Sequence, residues 1–381
     1  MPTALLYLSA KASEFSSTLN WLSDQFRSIP DFHNRHPHLQ RQVDSQLQAA
    51  RARLATLMQI VQLNSPALVP RGLSFVNQLQ FDVYILSENY LPAIRNESEH
   101  EVQFGAVALA AARRCGLADV QEILASLSRG HAVLPALPDC PLLFAPPHQR
   151  FTLLDLAAMY HEFGHIAFRK NAVIRDALTK VVADHFGALQ QLVGFVTPAE
   201  RAERLKQINR ATEYWSVGRL DELFSDIFAT HVVGPAHYYS CVDIAMRYSD
   251  DPYRVNITDV HPPFSARVTA CLVTLPPEQQ ASDVGQLCAR LWQGYVAARP
   301  TNADFRLFCD DPLLGDLVTE SVSRLVSLGY PQYQRTGYDL QRQPTANMNL
   351  EELLNDSVQM VFCCPAAYPT WELPFVQAIF A

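Results

Sequence analysis

Apolar and polar residues follow a helical period along most of this 381-residue chain, which predicts a mainly α-helical protein. Residues 39–63 repeat apolar and alanine positions at helical spacing, and the repeat ends at Asn64-Ser65-Pro66, a typical helix stop. Residues 331–348 are polar and are predicted to form a loop. The same pattern predicts further helices over about 102–115, 117–129, 152–170, 175–196, 219–233 and 349–362, another from Thr197-Pro198, and two more within 276–329.

Two segments do not follow the helical pattern clearly. Residues 79–86 alternate between apolar and polar, as a half-buried strand does, but they also fit one face of a helix. Five prolines within 130–150 exclude a helix there and predict extended chain, with a short strand at 142–145. We therefore place a domain boundary near the start of this segment, which gives an N-terminal helical region (1–130), a core (131–275) and a C-terminal helical region (276–381).

Composition narrows the class of protein further. A hydrophobic fraction of 49% excludes a disordered chain, and a net charge of −8 argues against a nucleic-acid partner, which needs a basic face. None of the eight cysteines forms a Cys-x-x-Cys pair, which argues against a cysteine zinc site. No apolar run reaches the roughly 18 residues that span a bilayer, and we see no secretory signal. We expect a cytoplasmic protein without a transmembrane segment; no pattern specifies its oligomeric state.

The sequence His161-Glu162-Phe163-Gly164-His165 is a His-Glu-x-x-His motif within a predicted helix. Residues four apart lie on one helix face, so the two imidazoles can bind one Zn²⁺ at roughly 2.0–2.1 Å. Glu162 is placed to take a proton from a water that zinc has made more acidic. The helix is predicted to begin at Thr152, with Asp155 completing a variant of the capping box.

A catalytic zinc usually has a third protein ligand. The extended motif His-Glu-x-x-His-x-x-Gly-x-x-His is excluded, because positions 168 and 171 are Phe168 and Asn171. The next candidate is Glu222, which shares a face of a later helix with Asp226. Glu222 is predicted to bind zinc, and Asp226 to accept the outer N–H of a ligand histidine. The alternative is that both acids lie on a solvated face of the helix.

The motif order resembles that of the glutamate-zincin peptidases. After the Glu222-x-x-x-Asp226 helix comes His261-Pro262-Pro263 with Arg267, an order closest to the CAAX-prenyl-protease and heat-shock membrane peptidase group. The HEFGH and DELFSDIFA segments are also similar to bacterial repressor-cleaving metallopeptidases. By this resemblance, His261 stabilises the developing oxyanion and Arg267 braces the site. The resemblance covers residues 150–275 only.

The resemblance also sets the expected fold and activity. We expect a mainly α (α+β) fold, with a zincin-like metallopeptidase core flanked by helical segments. The core should include a small sheet or an edge strand, to which an extended peptide adds. Residues 130–150 are the expected source of that strand. The expected activity is that of a zinc metalloendopeptidase acting on a peptide or protein substrate. The absence of transmembrane helices argues against a membrane-embedded substrate.

Two alternatives to an active peptidase remain open at this stage. The zincin core can be catalytically silent and serve as a binding or regulatory module. It can also be latent, with the apolar segment 368–381 occupying the cleft until it is displaced.

Other polar residues carry weaker signals. His237, Tyr238 and Tyr239 follow the Glu222 helix and are further candidates for an oxyanion donor. The cluster of His33, His36 and His38 is predicted to be a solvated loop rather than a metal site.

Overall fold

The protein is described by a computed structural model that covers residues 3–128, 132–137, 139–146, 152–195, 197–345 and 348–380. It is mainly helical and has one small three-stranded sheet, which confirms the expected mainly α class with a small sheet. Within the described residues, none of the helices is both long enough and apolar enough to cross a membrane.

Eighteen α-helices and three strands can be assigned in the described residues. The first helices are α1 (Thr3–Arg27), α2 (Phe32–Arg35), α3 (Pro37–Leu63), α4 (Val69–Tyr84), α5 (Leu91–Arg95) and α6 (Glu99–Arg114). The strands are β1 (Leu124–Ser126), β2 (Ala132–Leu134) and β3 (Leu142–Phe144). The helices that follow are α7 (Leu153–Lys170), α8 (Ala172–Leu192), α9 (Pro198–Tyr214), α10 (Val217–Val233), α11 (Pro235–Tyr248) and α12 (Phe264–Thr274). The last are α13 (Pro277–Gln280), α14 (Asp283–Val296), α15 (Ala303–Phe308), α16 (Asp311–Ser327), α17 (Leu350–Cys363) and α18 (Tyr368–Ile379).

The chain divides into two compact units. The boundary predicted near residue 130 falls on residues 129–131, which lie outside the described residues, so the division into three regions stays a prediction. The first unit contains Met1–Leu109, Asp119–Arg129 and Leu134–Phe144; the second contains Ala110–Ala118, Gly130–Val133 and Ala145–Ala381.

In the first unit the long helices α1, α3 and α4 pack on one another. The 79–86 segment is helical, since α4 continues to Tyr84 and a π-helical segment follows over 85–90. Leu79, Asp82 and Ile85 are all buried, and their spacing of three residues marks one face of a helix rather than of a strand.

The helix predicted over 117–129 is wrong, because this segment contains β1. β1 pairs in parallel with β3, with Leu124 opposite Leu142. All three residues of β1 are buried, and a short run of buried residues carries no period that separates strand from helix. The strand predicted at 142–145 is confirmed as β3. It is the middle strand in the order β1-β3-β2, and the edge strand within 130–150 is β2.

The second unit contains the helices around the His-Glu-x-x-His motif. α7 confirms the helix predicted over 152–170, but Thr152 makes no capping bond through its side chain. Instead, the Leu153 N–H donates to the Glu372 carboxylate on α18. The capping at Thr197 is confirmed, because Thr197 and Glu200 form a reciprocal capping box.

His36 is not in a solvated loop; it is 7% exposed and lies between two carboxylates. Its Nε2 is 2.8 Å from Glu97 Oε2, and its Nδ1 bonds to Glu122. Arg35 also pairs with Glu97. Burial opposes the charged imidazolium, but the two carboxylates outweigh it and raise the pKa of His36 to about 9.

This pair of contacts predicts a pH-dependent stability for the first unit. The pKa of His36 is higher in the folded than in the unfolded chain, so its stabilisation is complete below about pH 6.5 and is lost as pH rises through about 9. Between low and high pH, the contribution of His36 should change the free energy of unfolding by on the order of 1–2 kcal/mol, and we expect His36→Gln to abolish this change. Urea unfolding between pH 6 and 9.5 measures it, with the exposed neighbour variant His33→Gln as control. Equal pH slopes for the two variants would contradict the assignment.

Candidate metal centre

Helices α7 and α10 approach each other unusually closely at one point. A Cβ atom added to Gly164 would lie 2.5 Å from Ser225 Cα and 2.8 Å from Ser225 Cβ, closer than real Cβ atoms come. Gly164 on α7 and the small Ser225 on α10 therefore allow the two backbones to touch. Ser225 is fully buried, and its Oγ bonds to Asp221 O at 2.8 Å.

This contact brings three potential metal ligands together. His161 Nε2 lies 3.3 Å from Glu222 Oε2, and His165 Nε2 lies 3.6 Å from Glu222 Oε1. One ligand atom of each residue lies within 4.8 Å of the other two. Glu222 is not on a solvated face: its side chain is 12% exposed, and its buried Oε2 accepts no hydrogen bond.

The outer nitrogen of each histidine is held by a carboxylate. His161 Nδ1 donates to Asp226 Oδ1 at 2.9 Å, and His165 Nδ1 donates to Asp221 Oδ1 at 2.7 Å. These bonds place the protons on Nδ1 and leave both Nε2 atoms free to bind a cation. The helical spacing of the sequence predicts the role of Asp226 but does not point to Asp221, although Asp221 directly precedes Glu222.

Asp226 is the most strongly engaged acid of the site. Arg267 donates to both of its oxygens, from Nε at 2.6 Å and from Nη2 at 3.0 Å. Burial opposes ionisation of Asp226, but the charges of Arg267 and His161 hold its pKa well below the usual value. Arg267 thus lies where a bracing residue is expected.

The ligand residues lie in a strongly negative environment. Burial opposes the charged form of His161, but Asp226 and Glu222 raise its pKa to about 10. Burial also opposes ionisation of Glu222, but the neighbouring His161 and His165 outweigh it and lower its pKa to about 2. A site that favours positive charge this strongly suits a divalent cation.

Glu162 faces the same cleft, which has a volume of about 220 Å³. The residue is 4% exposed, and burial raises the pKa of its carboxyl above the usual value. Ala158, Ile244 and Phe264 contribute apolar surface to the lining of the cleft. The cleft therefore combines a carboxylate with space for a substrate.

His261 enters the cleft from the loop before α12. Its Nε2 lies 3.5 Å from Glu222 Oε2, and its Nδ1 is 2.7 Å from Asp259 Oδ1. The side chain is 50% exposed, so the ring stands between the cleft and solvent. Of the other oxyanion candidates, His237 lines the cleft, whereas Tyr238 and Tyr239 do not.

The three residues are close enough to bind one divalent cation. Tetrahedral zinc coordination at 2.0–2.1 Å requires donors about 3.3 Å apart. His161 Nε2 lies 3.3 Å from Glu222 Oε2 and His165 Nε2 lies 3.6 Å from Glu222 Oε1, and one ligand atom of each residue lies within 4.8 Å of the other two. No fourth His, Cys, Asp or Glu of the described residues brings a ligand atom within 4.8 Å of all three. A second group, His161 with Asp226 and His237, fits poorly, because Arg267 already neutralises Asp226.

Comparison of the chain with family models, with curated proteins and with solved structures found no match in any of the three. The functional interpretation therefore depends on the residues and the geometry of this cleft.

The close helix contact predicts the effect of a single methyl group. Gly164→Ala should push α7 and α10 apart, lower metal affinity at least about tenfold and destabilise the protein by about 1–3 kcal/mol. Gly187→Ala is the matched control, because Gly187 lies within α8 with nothing within 4 Å of the added Cβ. It should be neutral or stabilising. Zinc titration and thermal unfolding measure both effects; unchanged zinc affinity in Gly164→Ala would refute the claim that this contact sets the ligand geometry.

Proposed function

We propose that this protein is a zinc-dependent endopeptidase with a zincin-like core. The observation that carries the proposal is the convergence of His161 Nε2, His165 Nε2 and the Glu222 carboxylate in a cleft that also contains Glu162. Both outer histidine nitrogens are already held by carboxylates, as in other sites where histidine binds a metal. The motif resemblance to the glutamate-zincins points to the same chemistry.

In this proposal His161, His165 and Glu222 hold the ion. Zinc, when bound, supplies Lewis acidity that makes water acidic and polarises a carbonyl group. Asp226 and Asp221 keep the imidazoles in the required tautomer and orientation. Arg267 keeps Asp226 ionised in its buried position.

Glu162 acts as the general base. It accepts a proton from the water that attacks the substrate carbonyl carbon, and it then donates that proton to the amine nitrogen as the peptide C–N bond breaks. With Nδ1 bonded to Asp259, His261 acts in its imidazolium form and donates from Nε2 to the carbonyl oxygen as that oxygen gains negative charge. Its position at the mouth of the cleft, half-exposed and 3.5 Å from Glu222 Oε2, supports this role.

The charges of the cleft favour an endopeptidase over a carboxypeptidase. Removal of residues from a C-terminus requires a free cation that binds the terminal carboxylate. Arg267 is the only Lys or Arg lining the cleft in the part of the chain that the structure describes, and its charge is paired with that of Asp226, to which Nε and Nη2 both donate.

The site is less well suited to the two alternatives. A purely structural zinc is normally enclosed by four protein ligands, whereas three converge here. A latent form closed by the C-terminal segment lacks support, because none of the described residues 368–380 lines the cleft. Instead, α18 caps the start of α7 through Glu372.

The assigned base gives the main test. Glu162→Gln should lower hydrolysis of unfolded casein or of a pool of internally quenched peptides by about 10²–10⁴-fold, because the amide cannot accept the proton. Zinc content should stay near one per chain, since Glu162 is not a ligand in the proposal. Glu213→Gln, an exposed exchange on α9, serves as the control and should keep full activity.

Two results would overturn this proposal. Hydrolysis that persists in Glu162→Gln removes the assigned mechanism. A wild-type protein that carries stoichiometric zinc but cleaves none of these substrates favours the binding module.

A further inference from the structure

Arg219 lies on α10 three residues before Glu222, and it is 6% exposed. Its guanidinium lies 4.1 Å from the centre of the Tyr214 ring, and Nη1 donates to Tyr214 O at 2.6 Å. Nη2 donates to Asn256 O at 3.1 Å and to Ile257 O at 2.8 Å. All of these acceptors are backbone carbonyls. A buried cation is costly without such bonds, so the carbonyls of 256–257 and Arg219 stabilise each other.

The carbonyls that Arg219 holds belong to the loop that carries His261. Within this loop, Asn256 Oδ1 accepts the backbone N–H of Thr258 at 3.1 Å. Asp259 Oδ1 then accepts the backbone N–H of His261 at 3.0 Å and contacts its Nδ1 at 2.7 Å. A chain of short-range bonds therefore connects the Arg219 guanidinium to the His261 ring.

The earlier part of the same loop is held by other residues. Asn302 Nδ2 donates to Tyr253 O at 3.1 Å, and the Ser265 N–H donates to Pro252 O at 2.9 Å. Arg219 bonds to the start of the segment 256–261, at the carbonyls of residues 256 and 257. Loss of the guanidinium should therefore release this segment and leave the rest of the loop in place.

We propose that Arg219 is a positioning residue that fixes the 256–261 segment to α10 and so holds His261 beside Glu222. The kinetic consequence of this inference rests on the proposed peptidase function. Its structural consequence, the position of the 256–261 segment, does not. Because Arg219 and Glu222 lie one helical turn apart on α10, movement of that helix carries the metal ligand and the His261 loop together. Arg219 itself touches neither the substrate nor the metal.

The structural part is tested by hydrogen exchange measured by mass spectrometry. Arg219→Met should speed exchange of the backbone amides at 258–261, while the α7 and α10 amides keep their protection. Arg299→Met is the matched control, because Arg299 also stacks on a tyrosine, 4.0 Å from the Tyr295 ring centre, and bonds to its carbonyl. It should leave exchange at 258–261 unchanged. Arg219→Lys keeps the charge but not the fork of donors, so it should restore only part of the protection.

The kinetic part uses a double-mutant cycle with casein as substrate. Arg219→Met and His261→Ala should each lower kcat by roughly 10²-fold with little change in KM, and zinc affinity should stay within about twofold of wild type. The double variant should be no more than about twofold slower than His261→Ala, because both changes remove the same interaction.

The possible results separate the two claims. Unchanged exchange at 258–261 in a folded Arg219→Met overturns the proposed positioning role of Arg219. So does a double variant in which the two losses of kcat multiply. If Arg219→Met does not fold, Arg219→Lys decides. Partial amide protection at 258–261 together with partial activity supports the positioning role, whereas wild-type protection and wild-type activity refute it. If the wild-type protein cleaves no substrate, the proposed function fails, and the exchange data alone decide whether Arg219 holds the loop.

Discussion

The close packing of α7 against α10 at Gly164 and Ser225 is the contact on which the cleft depends. A side chain at Gly164 would occupy the same space as the Ser225 backbone. Without a side chain there, the ligand atoms of His161 and His165 come within 3.6 Å of Glu222. Aromatic residues secure the contact further along the helices, where the rings of Phe168 and Phe224 pack 5.4 Å apart. The approach of the two backbones thus sets the positions of these three side chains.

The same contact buries several acidic side chains. Their negative charges must be balanced, which explains the basic residues around them. Asp226 is 1% exposed and Asp221 is 7% exposed, so each must be paired to remain charged. Arg267 neutralises Asp226, and Arg169 Nε donates to Asp221 at 3.2 Å. Glu222 lacks such a partner, and its buried Oε2 accepts no hydrogen bond. A divalent cation bound by Glu222 and the two Nε2 atoms would balance this charge, which supports a metal site rather than a structural ion pair.

The sequence predicts those parts of the site that depend on spacing within one helix. The four-residue separations of His161 and His165, and of Glu222 and Asp226, place each pair on one face. It does not predict features that depend on contacts between distant segments. The strand at 124–126 is defined by its pairing with 142–144, and its own residues also fit a helix. The role of Gly164 cannot be predicted from the sequence for the same reason. The motif specifies residues along α7 only, whereas Gly164 makes its close contact with the backbone of α10. Asp221 was missed because its carboxylate meets His165 across that same contact.

The two kinds of element in the cleft meet different physical requirements. Residues that bind a metal ion must stay within a few tenths of an ångström of a fixed geometry, and packed helices provide this for the candidate ligands because their backbones cannot shift independently. A donor that acts on the substrate must instead stand at the mouth of the cleft, where an exposed loop is the accessible element. A loop by itself is too mobile to hold such a donor in place. Bonds from α10 to the backbone of 256–257 solve this difficulty, since they place His261 in the same frame as Glu222 while its ring remains open to solvent.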